Sequence, residues 1–220
     1  MVSLVFAVFA LVHLCLTAWL VRLALTRRSP FVWIAALVAA GLVYDNGIVA
    51  LGSTLGEGPL LHALNLPRFF VHALVTPLLV VFAHGAARDA GLGWARHRAA
   101  GAVFAGAAVL LIAYGVVFEL AGLSLVAGSE GDALRYSAAD PSPPVPSIAA
   151  ILVLVGVGLA LAVSRREPWM LAGAAVMFLA AALPSAPLAV GNLGEVALIA
   201  GLALTARRMG TGLPRVAAGA

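Results

Sequence analysis

FVWIAALVAAGLVYDNGIVALG, residues 31–52, carries one charged side chain, Asp45, in a run otherwise as apolar as a lipid interior. Crossing ~30 Å of hydrocarbon takes about 20 residues of helix, so this stretch is read as a membrane-spanning helix. Composition extends the reading to the whole chain. Hydrophobic residues make up 63%, charged residues only 10%, and the mean hydropathy is +1.09 over 220 residues. Soluble domains average roughly a quarter charged residues.

Six further apolar stretches lie near 2–25, 69–87, 100–124, 147–163, 168–184 and 188–206. The breaks between them hold Arg27-Arg28-Ser29-Pro30, Gly91-Leu92-Gly93, Pro141-Ser142-Pro143-Pro144, Arg165-Arg166-Glu167-Pro168 and Pro184-Ser185-Ala186-Pro187. The alternating ~10-residue segments of a transmembrane barrel are absent from the sequence. The expected fold is all-α: a polytopic transmembrane bundle of about seven helices forming a single integral domain over residues 1–220. The outer loop 125–146, ending in PSPPVP, reads as flexible or extended.

Arginine placement supplies an orientation, because cytoplasmic loops retain positive charge. Arg22, Arg27, Arg28, Arg88, Arg96, Arg98, Arg165, Arg166, Arg207, Arg208 and Arg215 fall at one end, and only Arg68 and Arg135 at the other. This puts the N-terminus outside and the C-terminus in the cytoplasm, in a multi-pass cell (inner) membrane protein. The first stretch lacks a basic n-region and a small-residue cleavage site, so it reads as a retained helix. The sequence pI of about 10.2 follows from this topology; the expected surroundings are membrane lipids, with no nucleic-acid platform.

An ionisable group within the hydrocarbon is costly and turns to the bundle interior. Gly41, Val49 and Gly52 share the face of Asp45, and small residues admit a neighbouring helix; Ala102/Gly106 and Ala197/Gly201 offer similar faces. On the third helix Arg68, His72 and Thr76 recur every fourth residue as one polar stripe. Beside it Pro77 removes a hydrogen bond to the Ala73 carbonyl and predicts a kink. Glu119, flanked by Gly115 and Gly122, and Glu195, sharing a face with Gly191 and Asn192, repeat the pattern in the outer halves of the fourth and seventh helices. The candidate ligand-binding residues are therefore Asp45, Asn46, Arg68, His72, Thr76, Glu119, Asn192 and Glu195, around one pocket in the outer half of the bilayer.

Three functions fit these residue types. The first is binding or translocating a small lipophilic or lipid-like ligand, with Arg68 on an anionic head group and Asp45 and His72 as hydrogen-bonding partners. The second is metal-assisted lipid hydrolysis, for which Asp45, His72 and Glu195 are the candidate ligands. The chain has no HxxxH or HExxH motif, and His13, ~16 Å down the first helix by its rise per residue, reads as too deep to join His72. The third is a structural or assembly role in which Asp45 locks to Arg68 across two helices. No specific catalytic motif or cofactor signature is present, so neither catalysis nor a cofactor is assigned. All thirteen basic residues are arginine, which excludes a lysine Schiff base. His13 and His84 fall at similar depths as a conceivable haem pair, while His62 and His97 read as surface residues and Cys15 as a small core residue. The segment STLGEGPLLHALNLPR, residues 53–68, reads as a mobile loop over the pocket.

Overall fold

The computed structural model describes residues 1–141, 143–183 and 187–209. It is an all-α bundle: α1 (Val2–Arg27), α2 (Pro30–Leu55), α3 (Pro59–Asp89), α4 (Arg98–Leu120), α5 (Val145–Arg165), α6 (Trp169–Ala181) and α7 (Leu188–Arg208). All but α6 are long and apolar enough to cross a membrane. The seven helices match the expected number, and α6, whose 13 residues reach ~20 Å at the α-helical rise, is the one shorter than a full span. Most of the predicted turn at 184–187, and Arg215, lie outside the described residues.

The outward faces are those of an integral membrane protein. Val103, Val109 and Leu110 on α4, and Leu4 and Leu11 on α1, are exposed, an arrangement that water disfavours and lipid accommodates. Inside, Leu20, Phe82, Leu154, Leu161, Met170, Ile199 and Leu202 are fully buried, and they belong to one continuous core in the half of the bundle nearer the arginine-rich loops. That end is also tied by polar contacts. Arg27 Nη2 donates to the Arg207 carbonyl at 2.8 Å and Arg165 Nη2 to the Gly91 carbonyl at 2.7 Å. The buried Glu167 pairs with Arg208 at 2.9 Å and accepts from Thr205 Oγ1 at 3.3 Å.

Helix boundaries follow local chemistry. Pro30 and Pro59 take first-turn positions, where a missing N–H costs nothing. Arg28 and Arg166 end α1 and α5 in the left-handed region, with φ of 51° and 53°. The third helix begins at Pro59, about ten residues before the predicted start at 69 (69 − 59), so most of the segment expected to be a mobile loop is helix. Near its middle, α3 loosens into a π turn at Val71–Val75 and tightens into a 3₁₀ turn at Thr76–Leu78, as a chain must around the ring of Pro77.

Within the segment expected to be flexible or extended, residues 125–138 form a β-hairpin. β1 (Leu125–Glu130) pairs antiparallel with β2 (Ala133–Ala138), Glu130 facing Ala133 across a two-residue turn. Gly131 enters that turn at φ 58°, while Asp132 has no positive φ, matching a type II′ connection. The hairpin lies across the end of the bundle. Its tip meets the chain start, where the Asp132 carboxylate pairs with the Met1 amino group and accepts from the Val2 and Ser3 amides. Ser53 Oγ donates to the Asp132 carbonyl and accepts from the Leu134 amide at 3.2 Å. Gly52 is needed beneath it, because a Cβ there would collide with the Leu134 carbonyl. Both carboxylate oxygens of Glu130 accept from the Leu188 amide at 3.3 Å, placing negative charge at the α7 N-terminus.

Of the two small-residue faces, Ala197/Gly201 packs and Ala102/Gly106 does not. A Cβ on Gly173 would lie 2.7 Å from the Ala197 carbonyl, and one on Gly201 2.5 Å from that of Trp169, whereas Gly106 faces open space. Gly173→Val is therefore expected to force α6 from α7 and lower stability by about 1–3 kcal/mol, with Gly106→Ala unchanged or more stable, as read by thermal unfolding in detergent. A second expectation concerns the hairpin tip. The Met1 amino group, opposed by desolvation and helped by the Val2 and Ser3 amides, pushes the Asp132 carboxyl down to about 2. With the folded value depressed, this contribution to docking is present above the unfolded value and is lost as pH falls from about 4 towards 2. NMR shifts of the Val2 and Ser3 amides should report a midpoint near 2, absent in Asp132→Asn.

Candidate functional site

Asp45 is the fixed point of the site. It lies about ten residues from the hairpin-side end of α2 (55 − 45), ~15 Å along the axis, and is buried. Its Oδ1 accepts from Arg68 Nε at 2.6 Å. Arg68 Nη1 in turn donates to Asn65 Oδ1 at 2.6 Å, and Asn65 is itself buried and donates to the Leu61 carbonyl at 2.7 Å. The same Asn65 oxygen accepts the Tyr136 amide of the hairpin at 3.2 Å. One connected cluster thus joins α2, α3 and β2. The arginine expected to meet an anionic head group already has both a carboxylate and an amide oxygen as partners.

His72 sits one turn deeper on α3, with Nε2 4.0 Å from Asp45 Oδ1, and is partly open. Thr76 follows at the 3₁₀ turn. This region requires a close approach by α4: a Cβ on Gly115 would lie 3.1 Å from the Ala73 carbonyl, the group that Pro77 leaves without its helical donor. From Gly115 to Leu120 α4 also takes a π turn, so two wide turns face each other and carry His72 and Glu119. π turns inside helices recur at functional sites.

Seven of the eight candidate residues line one cavity of about 610 Å³: Asp45, Arg68, His72, Thr76, Glu119, Asn192 and Glu195. Its apolar lining includes Val38, Leu42, Leu79, Ile151, Met177 and Leu198, and its mouth includes Arg135, Ser137 and Asp140. Such a volume falls in the range of small-molecule sites. Asn46 is the exception. Its Nδ2 donates to the Leu42 carbonyl at 2.9 Å and it does not contribute to the cavity wall. Asn192 bonds the Leu188 carbonyl at 3.0 Å and still faces the cavity.

The wall is electrostatically uneven. Arg135, outside the spans, is held below the usual arginine range by burial and then by Arg68, against the opposing pull of Asp45 and Glu130. Its field therefore falls on Asp45 and Glu130. Glu119 and Glu195 each keep one buried carboxyl oxygen with no hydrogen-bond partner, and among the described residues neither carboxyl forms an ion pair.

Some expectations from sequence are revised here. Among the described residues no group of three His, Cys, Asp or Glu side chains is placed to hold a metal ion. His13 is not remote: its buried ring lies within the field of Asp45 and beside the Glu195 backbone, with Nδ1 2.9 Å from the Phe9 carbonyl. His84 is no haem partner for it, being engaged with the Ala95 carbonyl at 3.0 Å and packed between Phe31 and Phe104. Cys15 is exposed on the outer face of α1 and is not a core residue. Asn65 and Arg135 were missed, the first because it fell in an assumed loop, the second because its hairpin folds back over the bundle.

Breaking one half of the central pair leaves an uncompensated buried charge. Asp45→Asn is expected to destabilise the protein by about 3–5 kcal/mol, and adding Arg68→Met to recover most of the loss. Reversible unfolding of the single and double variants in mixed micelles measures the difference.

The chain matches no family model, no curated protein and no solved structure, so its function is read from the geometry of the site itself.

Proposed function

We propose that this integral membrane protein binds a small lipophilic or lipid-like ligand in the cavity between α2, α3, α4, α5 and α7. The observation that carries the reading is the convergence of seven polar side chains from four helices on one 610 Å³ space whose remaining lining is largely apolar. Pockets that recognise small molecules have this composition, a mainly apolar wall with few placed polar groups. The hairpin end faces outside and the arginine-rich end the cytoplasm, on the positive-inside asymmetry, which makes the ligand one that enters from the outer leaflet or beyond. Binding is favoured over translocation because the cavity wall at Val38, Leu42, Leu79 and Leu198 is continuous with the apolar core of the other half.

A purely structural role is the second reading, favoured by the satisfied Asp45–Arg68–Asn65 cluster. The two differ in what filling the cavity does. Ile151→Trp enlarges a side chain of the cavity wall that takes no part in the cluster. Native mass spectrometry of the purified protein is expected to show one lipophilic adduct on the wild type, with occupancy reduced about tenfold in Ile151→Trp, a loss of ~1.4 kcal/mol, and an unchanged melting temperature. No adduct on the wild type, with no effect of the substitution, would leave the structural role standing.

A further inference from the structure

The cavity has four carboxyl groups on its wall, Asp45, Glu119, Asp140 and Glu195, and two guanidinium groups, Arg68 and Arg135. The guanidinium groups are not shared evenly. Arg68 is bound to Asp45 through Nε and to Asn65 through Nη1. Arg135 lies in the fields of Asp45 and Glu130. His72, the remaining basic group of the wall, is also on the Asp45 side, 4.0 Å from its carboxylate. The chain contains no lysine that could reach in from elsewhere.

Glu119 and Glu195 are left on two helices with an unpartnered buried oxygen each. Burying a carboxylate without a cation or hydrogen-bond donors is costly. Resting on the binding reading above, we infer that the ligand brings the missing cation: an amphiphile whose polar end is a protonated amine, received by Glu119 and Glu195, with its apolar body against Phe69, Phe118, Ile151 and Met177. An ammonium supplies three donors and a positive charge, and among the described residues neither carboxyl has an ion pair. An anionic head would find Arg68 already bound to Asp45 and Asn65. A neutral head would bring neither acid a cation.

The same ammonium chemistry occurs in a free long-chain amine and in an ethanolamine phospholipid, and the experiment separates the two. The full chain, in phosphatidylcholine nanodiscs, is offered dodecylamine, dodecanol or dodecanoate, and bound probe is counted by native mass spectrometry after release. Dodecylamine is expected to be retained one to one and in preference to the other two. Glu119→Gln and Glu195→Gln are each expected to weaken its retention about tenfold, with dodecanol retention lowered by much less. Nanodiscs containing phosphatidylethanolamine then identify the source: retention of that lipid, displaced by dodecylamine, assigns the ethanolamine head, and its exclusion assigns a free amine. Preference for dodecanoate, or amine retention indifferent to both substitutions, would overturn the inference while leaving the cavity a binding site. If no probe is retained and Ile151→Trp is also without effect, the binding reading itself fails. Should a glutamine variant unfold, the ranking of amine against carboxylate on the wild type decides alone.

Discussion

A guanidinium buried between apolar helices has to be met by a carboxylate, and the rest of the hairpin half of this protein is arranged around that requirement. Arg68 reaches Asp45 across the α2–α3 interface and Asn65 along its own helix. Those contacts set the register of α3 against α2. Gly41 permits the approach, since a Cβ there would run into Val71. Because Asn65 also accepts the Tyr136 amide, the register of the hairpin on the bundle depends on the same cluster. Such a pair is weak evidence for net stability. Its effect is to specify which of many apolar helix packings is adopted, a choice that lipid-facing surfaces of similar hydropathy cannot make alone.

The kink of α3 carries that specification to α4. Pro77 strips the Ala73 carbonyl of its donor, the chain relaxes through π and 3₁₀ turns, and Gly115 packs at that point. The second π turn starts at the same glycine and rotates Glu119 onto the cavity wall. Two helices thereby widen at one level, and the space between them cannot be filled by the regular ridges and grooves that close the other half.

Much of this was legible in the chain because membrane burial makes polar residues informative. A lone aspartate in a 22-residue apolar run has to face inward, and its helical phase with Gly41 and Gly52 names the face. The fourfold spacing of Arg68, His72 and Thr76 places all three on one wall. What escaped was either a polar start to a helix or a contact distant in sequence. His62, Asn65, Pro67 and Arg68 lower the local hydropathy, so α3 seemed to begin at 69 although Gly58-Pro59 is a helix-start signal. The hairpin had a signal too, Gly131-Asp132 between two short runs, but the PSPPVP that closes the segment favoured reading all of 125–146 as a flexible or extended loop. Glu130 at the α7 N-terminus and Glu167 beside Arg208 join residues tens of positions apart, and no local pattern encodes such pairs.

The two ends of the bundle solve the same packing problem with different materials. At the arginine-rich end, leucines and phenylalanine interdigitate and the polar groups pair with one another, Glu167 with Arg208 and Thr205 and Arg165 with the Gly91 carbonyl. At the hairpin end, carboxyl, imidazole and amide groups take positions that apolar side chains would otherwise fill. Polar groups do not collapse onto a void as methyl groups do, because each loses hydration unless a partner stands at a defined distance and angle. The hairpin meets part of that demand from above, through Tyr136 to Asn65 and Glu130 to Leu188. Glu119 and Glu195 each keep a buried oxygen that it does not satisfy. A bundle built this way keeps a cavity where its acids stand, because carboxyl groups without partners cannot close over a void as methyl groups do.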